Sequence, residues 1–339
     1  MNTPSNSSHS PRVSVIVPLY QTERYIAEAL QSVLAQTFDD FEVLVVDDGS
    51  SDRGPQIARE TGDSRVRIIS QINRGLAGAR NTGIRHARGT FIALLDADDR
   101  WHPDKLARHV ALLDARPSVG LSYSASRLIG DNGEDLGLTQ WPSRPSTTAA
   151  DVLCRNPVGN GSAPVLRRAA FDSIAFWDGR LERICWFDES YRQSEDIECW
   201  TRLAATSLWQ LALVPFALTD YRVNTAGLSA NTARQLATWR RFRTKVASYA
   251  PALAAAHGSL AEAYQLRYLA RRAVKSGDAL TALQLMRDAL QLAPSMFVEE
   301  PVRTTVTLAA AAARAAMPAG LGQWMVALAT DAPRARLGA

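Results

Sequence analysis

Three carboxylates, Asp96, Asp98 and Asp99, follow directly on five apolar residues, Phe91 to Leu95, in the stretch FIALLDADDRWHPDKL. A short apolar run that stops at polar residues reads as a strand buried on both faces. Three acids at its C-terminal end repel one another and lose hydration unless a cation neutralises them. Hard divalent ions take oxygen ligands, and magnesium commonly uses one or two carboxylates together with substrate phosphates. The chemistry expected here is a metal–phosphate site at the lip of a sheet. The competing reading is a solvated acidic turn that caps a helix starting near Pro103, since Asp caps helices well and Pro suits their first position.

The elements that must position these acids are legible upstream. Val13–Val17 is a β-branched run stopping at Pro18, and Phe41–Val46 is a second buried run that ends in Asp47-Asp48-Gly49-Ser50. Ile26, Leu30, Val33 and Leu34 have the spacing of an amphipathic helix within 23–36. A short helix at Pro55–Thr61, a strand at Val66–Ser70 and a helix at Gly75–Ala87 complete the first hundred residues. Strand and helix in strict alternation predict an α/β fold with a parallel sheet. Ligands of such sheets sit beyond the C-terminal strand ends, where Pro18-Leu19-Tyr20, Asp47-Asp48 and Asp96 to Asp99 all fall. The first strand leads into PLYQTE, not G-x-G-x-x-G, and no P-loop is present.

Further on, a helix from Pro103 ends before Pro117 and a strand covers Val119–Tyr123. A loop-rich tract with Gly130, Asn132-Gly133, Gly137, Pro142 and Pro145 follows, and Asn156–Val165 reads as a mobile or ligand-facing loop by composition. Glu195-Asp196 opens a helix with Ile197, Trp200 and Leu203 on its apolar face, and Leu211–Leu218 is a last strand. Beyond about Asn231, Ala, Leu and Arg dominate at helical spacing. Tyr268–Pro294 looks like one tetratricopeptide-type helix pair turning at Gly277, and Trp324, Met325, Val326 and Leu328 suit either a membrane interface or internal packing.

With 339 residues the chain has room for two domains, read here as a tail (1–11), an α/β domain (12–230) and a helical region (231–339). A net charge of +4 suits anionic ligands or a membrane surface without selecting one. Cys154, Cys185 and Cys199 have no CxxC spacing, which argues against a disulfide framework or a zinc site and fits a reducing cytoplasm. Neither a secretory signal nor a spanning apolar run is visible, so the expected location is cytoplasmic, or peripheral at the inner face of a membrane.

The segments VSVIVPLYQTERYIAEALQSVLAQTFDDFEVLVVDDGSSD and NRGLAGARNTGIRHARGTFIALLDADDRWHPDKL resemble the N-terminal half of family 2 inverting glycosyltransferases of GT-A fold. The resemblance covers about Pro11–Ser229 and implies the following roles. Pro18, Leu19 and Tyr20 line the nucleotide base of a sugar-nucleotide donor, with Glu23 fixing their loop. Asp48, with Asp47 beside it, accepts a hydrogen bond from the base, although the same acids could instead form a turn and cap a helix. Gly75 lets the donor approach closely, and Arg80 pairs with a phosphate or with the acids at Asp96 to Asp99. Asp96-Ala97-Asp98 matches the D-x-D element, in which Asp98 and Asp99 contact ribose and an Mg²⁺ or Mn²⁺ ion.

The resemblance also makes Asp196 the general base and puts Glu195 on the acceptor side, whereas the residues alone allow Ser194 to Asp196 to be a helix cap. Trp186 and Phe187 stack on a sugar or belong to the core. Arg222, in Tyr221-Arg222-Val223-Asn224, would contact the diphosphate, and Asn224 stands where relatives often carry a metal-ligating His. The implied activity moves a sugar from a nucleotide-diphospho-sugar, with UDP-sugar as default, to a hydroxyl on a glycan or lipid-linked glycan of a bacterial surface. The implied partners include no nucleic acid, and a peripheral membrane or protein contact through the C-terminal helices is left open. The rival reading is a non-catalytic sugar-nucleotide-binding scaffold.

Overall fold

A computed structural model describes residues 10–142, 146–223 and 232–316. The chain divides into two compact units, one of Met1–Val152 with Asn156–Thr225, the other of Leu153–Arg155 with Ala226–Ala339. The first unit begins with β1 (Val13–Leu19), α1 (Ile26–Leu34), β2 (Phe41–Asp47), α2 (Gly54–Glu60), β3 (Val66–Ser70), α3 (Gly75–His86) and β4 (Phe91–Leu94). β5 (Arg100–Trp101), α4 (Lys105–Ala115), β6 (Val119–Ile129), β7 (Asp135–Gln140), β8 (Ser146–Thr147) and α5 (Ala149–Arg155) follow. Then come β9 (Val165–Arg167), α6 (Arg168–Ser173), the hairpin β10 (Phe176–Asp178) and β11 (Arg183–Cys185), α7 (Glu195–Thr206) and β12 (Gln210–Arg222).

Among the described residues ten of these strands form one mixed sheet whose main path is β3-β2-β1-β4-β9-β6-β12-β5, with β7 on β6 and β8 on β12, while β10 and β11 pair by themselves. β3, β2, β1 and β4 are mutually parallel, β9 runs antiparallel to both β4 and β6, and β12 returns parallel to β6. Every residue of β1 and β2 is buried, because helices cover both faces of a parallel sheet. Alternate residues feed two cores: Val13, Val15, Val17 and Leu19 pack with Ile26, Leu30 and Val33, while Ile16 packs with Ala79, Ile84, Phe187 and Trp200. Leu19 pairs with Asp47 and Ile16 with Leu94, so three strands deliver Tyr20, Asp48 and Asp96 to one edge.

Several elements differ from expectation for identifiable reasons. β1 runs through Pro18 to Leu19; its ladder with β4 ends at Ile16, so Pro18 removes no hydrogen bond on that side. β6 extends to Ile129, and two of the three serines that break its apolar pattern find partners: Ser122 with Val165 O and His109, Ser126 with Asn160. The tract read as loop after Gly130 contains β7. Asn156–Val165, expected to be mobile or ligand-facing, instead buries Asn160, Ser162 and Ala163 inside the sheet layer.

The second unit is helical: α8 (Thr232–Tyr249), α9 (Pro251–Ser276), α10 (Ala279–Leu292), α11 (Met296–Glu299) and α12 (Pro301–Ala316). Ala263, Leu266, Ala270, Leu285, Met286 and Ala289 form its core. The turn expected at Gly277 is there: φ is +84°, and Gly277 N and Asp278 N donate to Val274 O and Ala273 O to close α9. Trp324, Met325, Val326 and Leu328 lie outside the described residues. No described helix is long and apolar enough to cross a membrane.

α3 owes its Gly/Ala composition to its distance from β1. A Cβ at Gly83 would lie 2.3 Å from Ile16 Cγ2, a buried side chain between sheet and helix. Gly→Ala in a helix interior ordinarily gains about 1 kcal/mol. Gly83→Ala is expected to lose about 1–3 kcal/mol instead through overpacking, read as a lowered midpoint in urea unfolding.

Candidate active site

The turn after β4 is held by one serine and one arginine. Asp96 N donates to Ser162 Oγ at 2.9 Å, and Ser162 Oγ donates to Asp99 Oδ2 at 2.6 Å. Arg222 N donates to the other oxygen, Asp99 Oδ1, at 2.9 Å, and Arg222 Nε donates to Asp98 O at 2.7 Å. Asp99 is only 1% exposed, and its burial beside Asp98 and Asp96 pushes its carboxyl well above the usual range. Its expected place at a metal is therefore corrected: both oxygens brace the turn from within. Beneath it, buried Lys105 Nζ donates to Ala163 O at 2.7 Å and Thr219 Oγ1 at 3.2 Å, and burial drives its amine pKa well down.

Asp96 and Asp98 keep part of their surface. Burial, then the charge of Asp96, pushes Asp98 up to about 6. Among the described residues no group of three His, Cys, Asp or Glu side chains forms a metal cage. Two adjacent carboxylates destabilised by each other are a donor set that fits Mg²⁺ or Mn²⁺ completing its shell with phosphates. Asn224 lies outside the described residues.

Arg222 does not face this opening. Its guanidinium donates to Gly130 O, Asp131 O and Glu28 Oε2 at 3.0, 2.9 and 2.6 Å and lies over the Tyr25 ring. At 4% exposure, with these contacts made, it is a strut for the D-A-D turn and not the diphosphate contact expected.

At the end of β2, Asp47 Oδ1 accepts from Ser50 N, closing a turn. Asp48 is 2% exposed; it accepts from Arg74 N at 2.8 Å, Gln71 Nε2 at 2.6 Å and Gly75 N at 2.7 Å. Its carboxylate thus holds the N-terminus of α3, the capping alternative, with about one of its four acceptor sites left for a base. Glu23 Oε2 accepts from Arg53 N and Glu23 N donates to Asp52, stapling the loops after β1 and β2. Pro18 and Leu19 are buried, Leu19 within the core, whereas Tyr20 exposes half of its surface at this edge. Gly75, at φ +75°, lies beneath Arg192: a Cβ there would be 2.1 Å from Arg192 Nη1.

Arg80 ties the two acidic motifs together. It is 1% exposed, and it donates to Asp96 Oδ1 at 2.7 Å and to Glu195 Oε1 at 2.8 Å. Glu195, expected on the acceptor side, is buried against this guanidinium; burial pushes its carboxyl up to about 7 even so. Asp196 keeps partial exposure at the first turn of α7, accepting from Ile197 N at 2.7 Å, and burial raises its pKa. Trp186 and Phe187 take the core alternative, both packed beneath α3 and α7.

Some positioning residues left no signal in periodicity. Ser162 sits in a tract whose composition reads as loop. Glu189 receives Arg74, Arg183 and Asn81 and so anchors the segment before α7 to α3. Asn81 donates to Phe187 O at 2.8 Å and accepts from Trp186 N and Phe187 N at 3.0 and 2.8 Å.

Acids on three adjoining strand ends and an acid pair opening a facing helix, on a mostly parallel mixed sheet, define a GT-A fold. The crystal structure of S. aureus TarS 1-349 superposes with a TM-score of 0.58 at 20% identity, covering 89% of this chain and 87% of that one; a second crystal structure of it holds UDP-GlcNAc. Mannosyltransferase PcManGT from Pyrobaculum calidifontis, in complex with GDP-Man and Mn2+, gives 0.56 at 24% identity, covering 91% and 87%.

Residues 14–174 match the family model described as glycosyl transferase family 2. The uncharacterized glycosyltransferase EpsJ of Bacillus subtilis (strain 168) is 50% identical over 91 residues, 26% of each chain. WfgD of Escherichia coli, a UDP-Glc:alpha-D-GlcNAc-diphosphoundecaprenol beta-1,3-glucosyltransferase, is 28% identical over 225 residues, 66% of this chain and 82% of that one. For EpsJ and two further glycosyltransferase relatives, the match spans only 26%, 45% and 28% of the relative's length.

The raised carboxyls set a pH dependence. Asp98 and Glu195 titrate near 4 when unfolded but at about 6 and about 7 when folded. Their contribution to stability is complete below the unfolded value and is lost as pH rises through the folded ones. In divalent-free buffer the melting temperature should fall between about pH 5 and pH 8, and Asp98→Asn should flatten the lower part of that fall, as read by scanning calorimetry.

Proposed function

We propose that the protein is an inverting glycosyltransferase that moves one sugar from a nucleotide-diphospho-sugar to a hydroxyl acceptor. The observation that carries this reading is the Asp96–Arg80–Glu195 bridge, which sets the partly exposed Asp196 beside the D-A-D turn at the ligand edge of the domain that matches the family 2 model. A single in-line displacement needs a base facing the sugar opposite the leaving group, to take the acceptor's proton as its oxygen attacks. Asp196 suits that role. Its burial raises its proton affinity, and the charge of Arg80 works against that rise.

On the donor side, Tyr20 presents its ring at the sheet edge and Asp48 fixes the α3 N-terminus beside it. Asp98, with Asp96 next to it, would hold Mg²⁺ or Mn²⁺; bound there, the ion neutralises charge developing on the leaving nucleoside diphosphate. UDP is the nucleotide in the name of WfgD and in the TarS complex, which supports a UDP-sugar donor; PcManGT, bound to GDP-Man and Mn2+, supports the divalent ion. The lipid-diphosphate acceptor in the name of WfgD supports a lipid-linked glycan acceptor of the kind used for surface polysaccharides, met at the cytoplasmic face of a membrane.

A panel of sugar nucleotides scored for Mn²⁺-dependent thermal stabilisation tests the donor side, because a true donor stabilises by mass action. Asp98→Ala should abolish the metal-dependent part. Asp196→Asn should keep it while lowering transfer by about 10²–10⁴, the usual contribution of a general base. Transfer undiminished in both variants would overturn the catalytic assignment, and stabilisation without turnover in the wild type would favour the scaffold reading.

A further inference from the structure

Arg80 is the largest charged side chain with less than 2% of its surface exposed, and two carboxylates and an aromatic ring hold it. Its two terminal nitrogens point in different directions, Nη2 to Asp96 and Nη1 to Glu195, and its face lies over the Phe187 ring at 5.5 Å. The space for this fork comes from Gly161, where a Cβ would stand 2.1 Å from Nη2 and 3.1 Å from Asp96 Oδ2. The next residue, Asn81, clamps the backbone of Trp186 and Phe187 with three hydrogen bonds, fixing the chain that leads into α7. One turn of α3 therefore grips both the end of β4 and the approach to α7. A phosphate-binding role does not fit, since both terminal nitrogens are engaged and the side chain is inaccessible.

We propose that Arg80 is a positioning residue for the transfer: its guanidinium locks Glu195, and with it the first turn of α7 that carries Asp196, to the Asp96 end of the D-A-D turn. Donor site and base are thereby held at a fixed separation. This inference rests on Asp196 being the base. A lysine cannot substitute, because a single ammonium on a flexible stem does not reproduce a planar fork that bridges two carboxylates. Buried ion pairs add little net stability, and fixing one geometry is among their best-supported roles. The titratable groups that interact with Asp196 are Arg80 from α3, Asp96 from the β4 turn, Glu195 from its own helix and Tyr221 from β12. Of these only Arg80 favours the ionised base.

Two variants test the proposal from opposite sides. Arg80→Lys keeps a charge but loses the fork; Gly161→Ala keeps Arg80 and adds one methyl against Nη2. Donor turnover is read as UDP release from the sugar nucleotide that stabilises the wild type with Mn²⁺. Both variants should lower kcat by about tenfold or more with donor KM changed less than about threefold, since a misplaced catalytic group costs rate before it costs binding. In Arg80→Lys the acid limb of the kcat profile should also move up by about one pH unit, one unit being a tenfold change in the ionised fraction at low pH. A donor-free reading comes from carboxyl NMR titration of the metal-free protein, in which Glu195 and Asp196 should titrate at higher pH in Arg80→Lys than in the wild type.

Wild-type kcat, acid limb and carboxyl titrations in both variants would overturn the inference. So would a loss of kcat matched by an equal rise in donor KM, which would mark Arg80 as a donor contact. Should Arg80→Lys not fold, Gly161→Ala decides alone, through its kcat and KM. Asp196→Asn separates the two levels: full transfer in that variant removes the base assignment itself, whereas an inactive Asp196→Asn with unaffected Arg80 and Gly161 variants removes only the role given to Arg80.

Discussion

The candidate site of the first unit depends on the buried guanidinium of Arg80. Asp96, Asp98 and Asp99 at the end of β4 and Glu195 and Asp196 at the start of α7 are a concentration of negative charge that would drive the two elements apart. Arg80 is the guanidinium in contact with both sets, and its own ionisation is strengthened by them. It cannot offset five carboxylates, so burial still raises the pKa of Asp98, Asp99, Glu195 and Asp196. That residual imbalance is the physical reason the proposed donor site would suit a divalent ion with a diphosphate: the ion would supply charge that the chain lacks.

The acids divide into those that face the opening and those that build it. Asp99 and Arg222 belong to the second group, with Ser162 passing a hydrogen bond from Asp96 N to Asp99. Asp48 likewise organises the chain around it, by holding the N-terminus of α3 that carries Arg80 and Asn81. A sequence motif makes these carboxylates look equivalent. Their burial separates them, because a carboxylate whose oxygens already accept internal donors has little capacity for a metal or a base.

The parallel half of the sheet was legible because its strands are buried on both faces and therefore read as unbroken apolar runs ending in polar residues. The placing of the D-A-D turn after a strand and of Glu195-Asp196 at a helix start was legible because the acids interrupt an apolar run and open an amphipathic one. The antiparallel half was harder. β6 hides behind Ser122, Ser124 and Ser126, β7 lies among Gly residues, and β9 is only three residues long, so none produces a periodic signal. The role of Arg222 could not be read from its neighbours in sequence, since its partners Glu28, Asp98, Asp99, Gly130 and Asp131 come from α1, the β4 turn and the end of β6. Ser162 and Gly161 were missed for a related reason: a Gly/Asn/Ser tract has the composition of a mobile loop, and only the buried acids it serves reveal why it is packed.

The central claim is that a single displacement occurs between the D-A-D turn and Asp196, with the acceptor attacking from the face opposite the leaving nucleotide. The most direct measurement is the anomeric configuration of the first transferred sugar, read from the proton coupling constant of the product formed from an α-linked sugar nucleotide. The account predicts a β-linked product. An α-linked product would require a different order of events at the same residues and would contradict Asp196 acting as a base for direct attack.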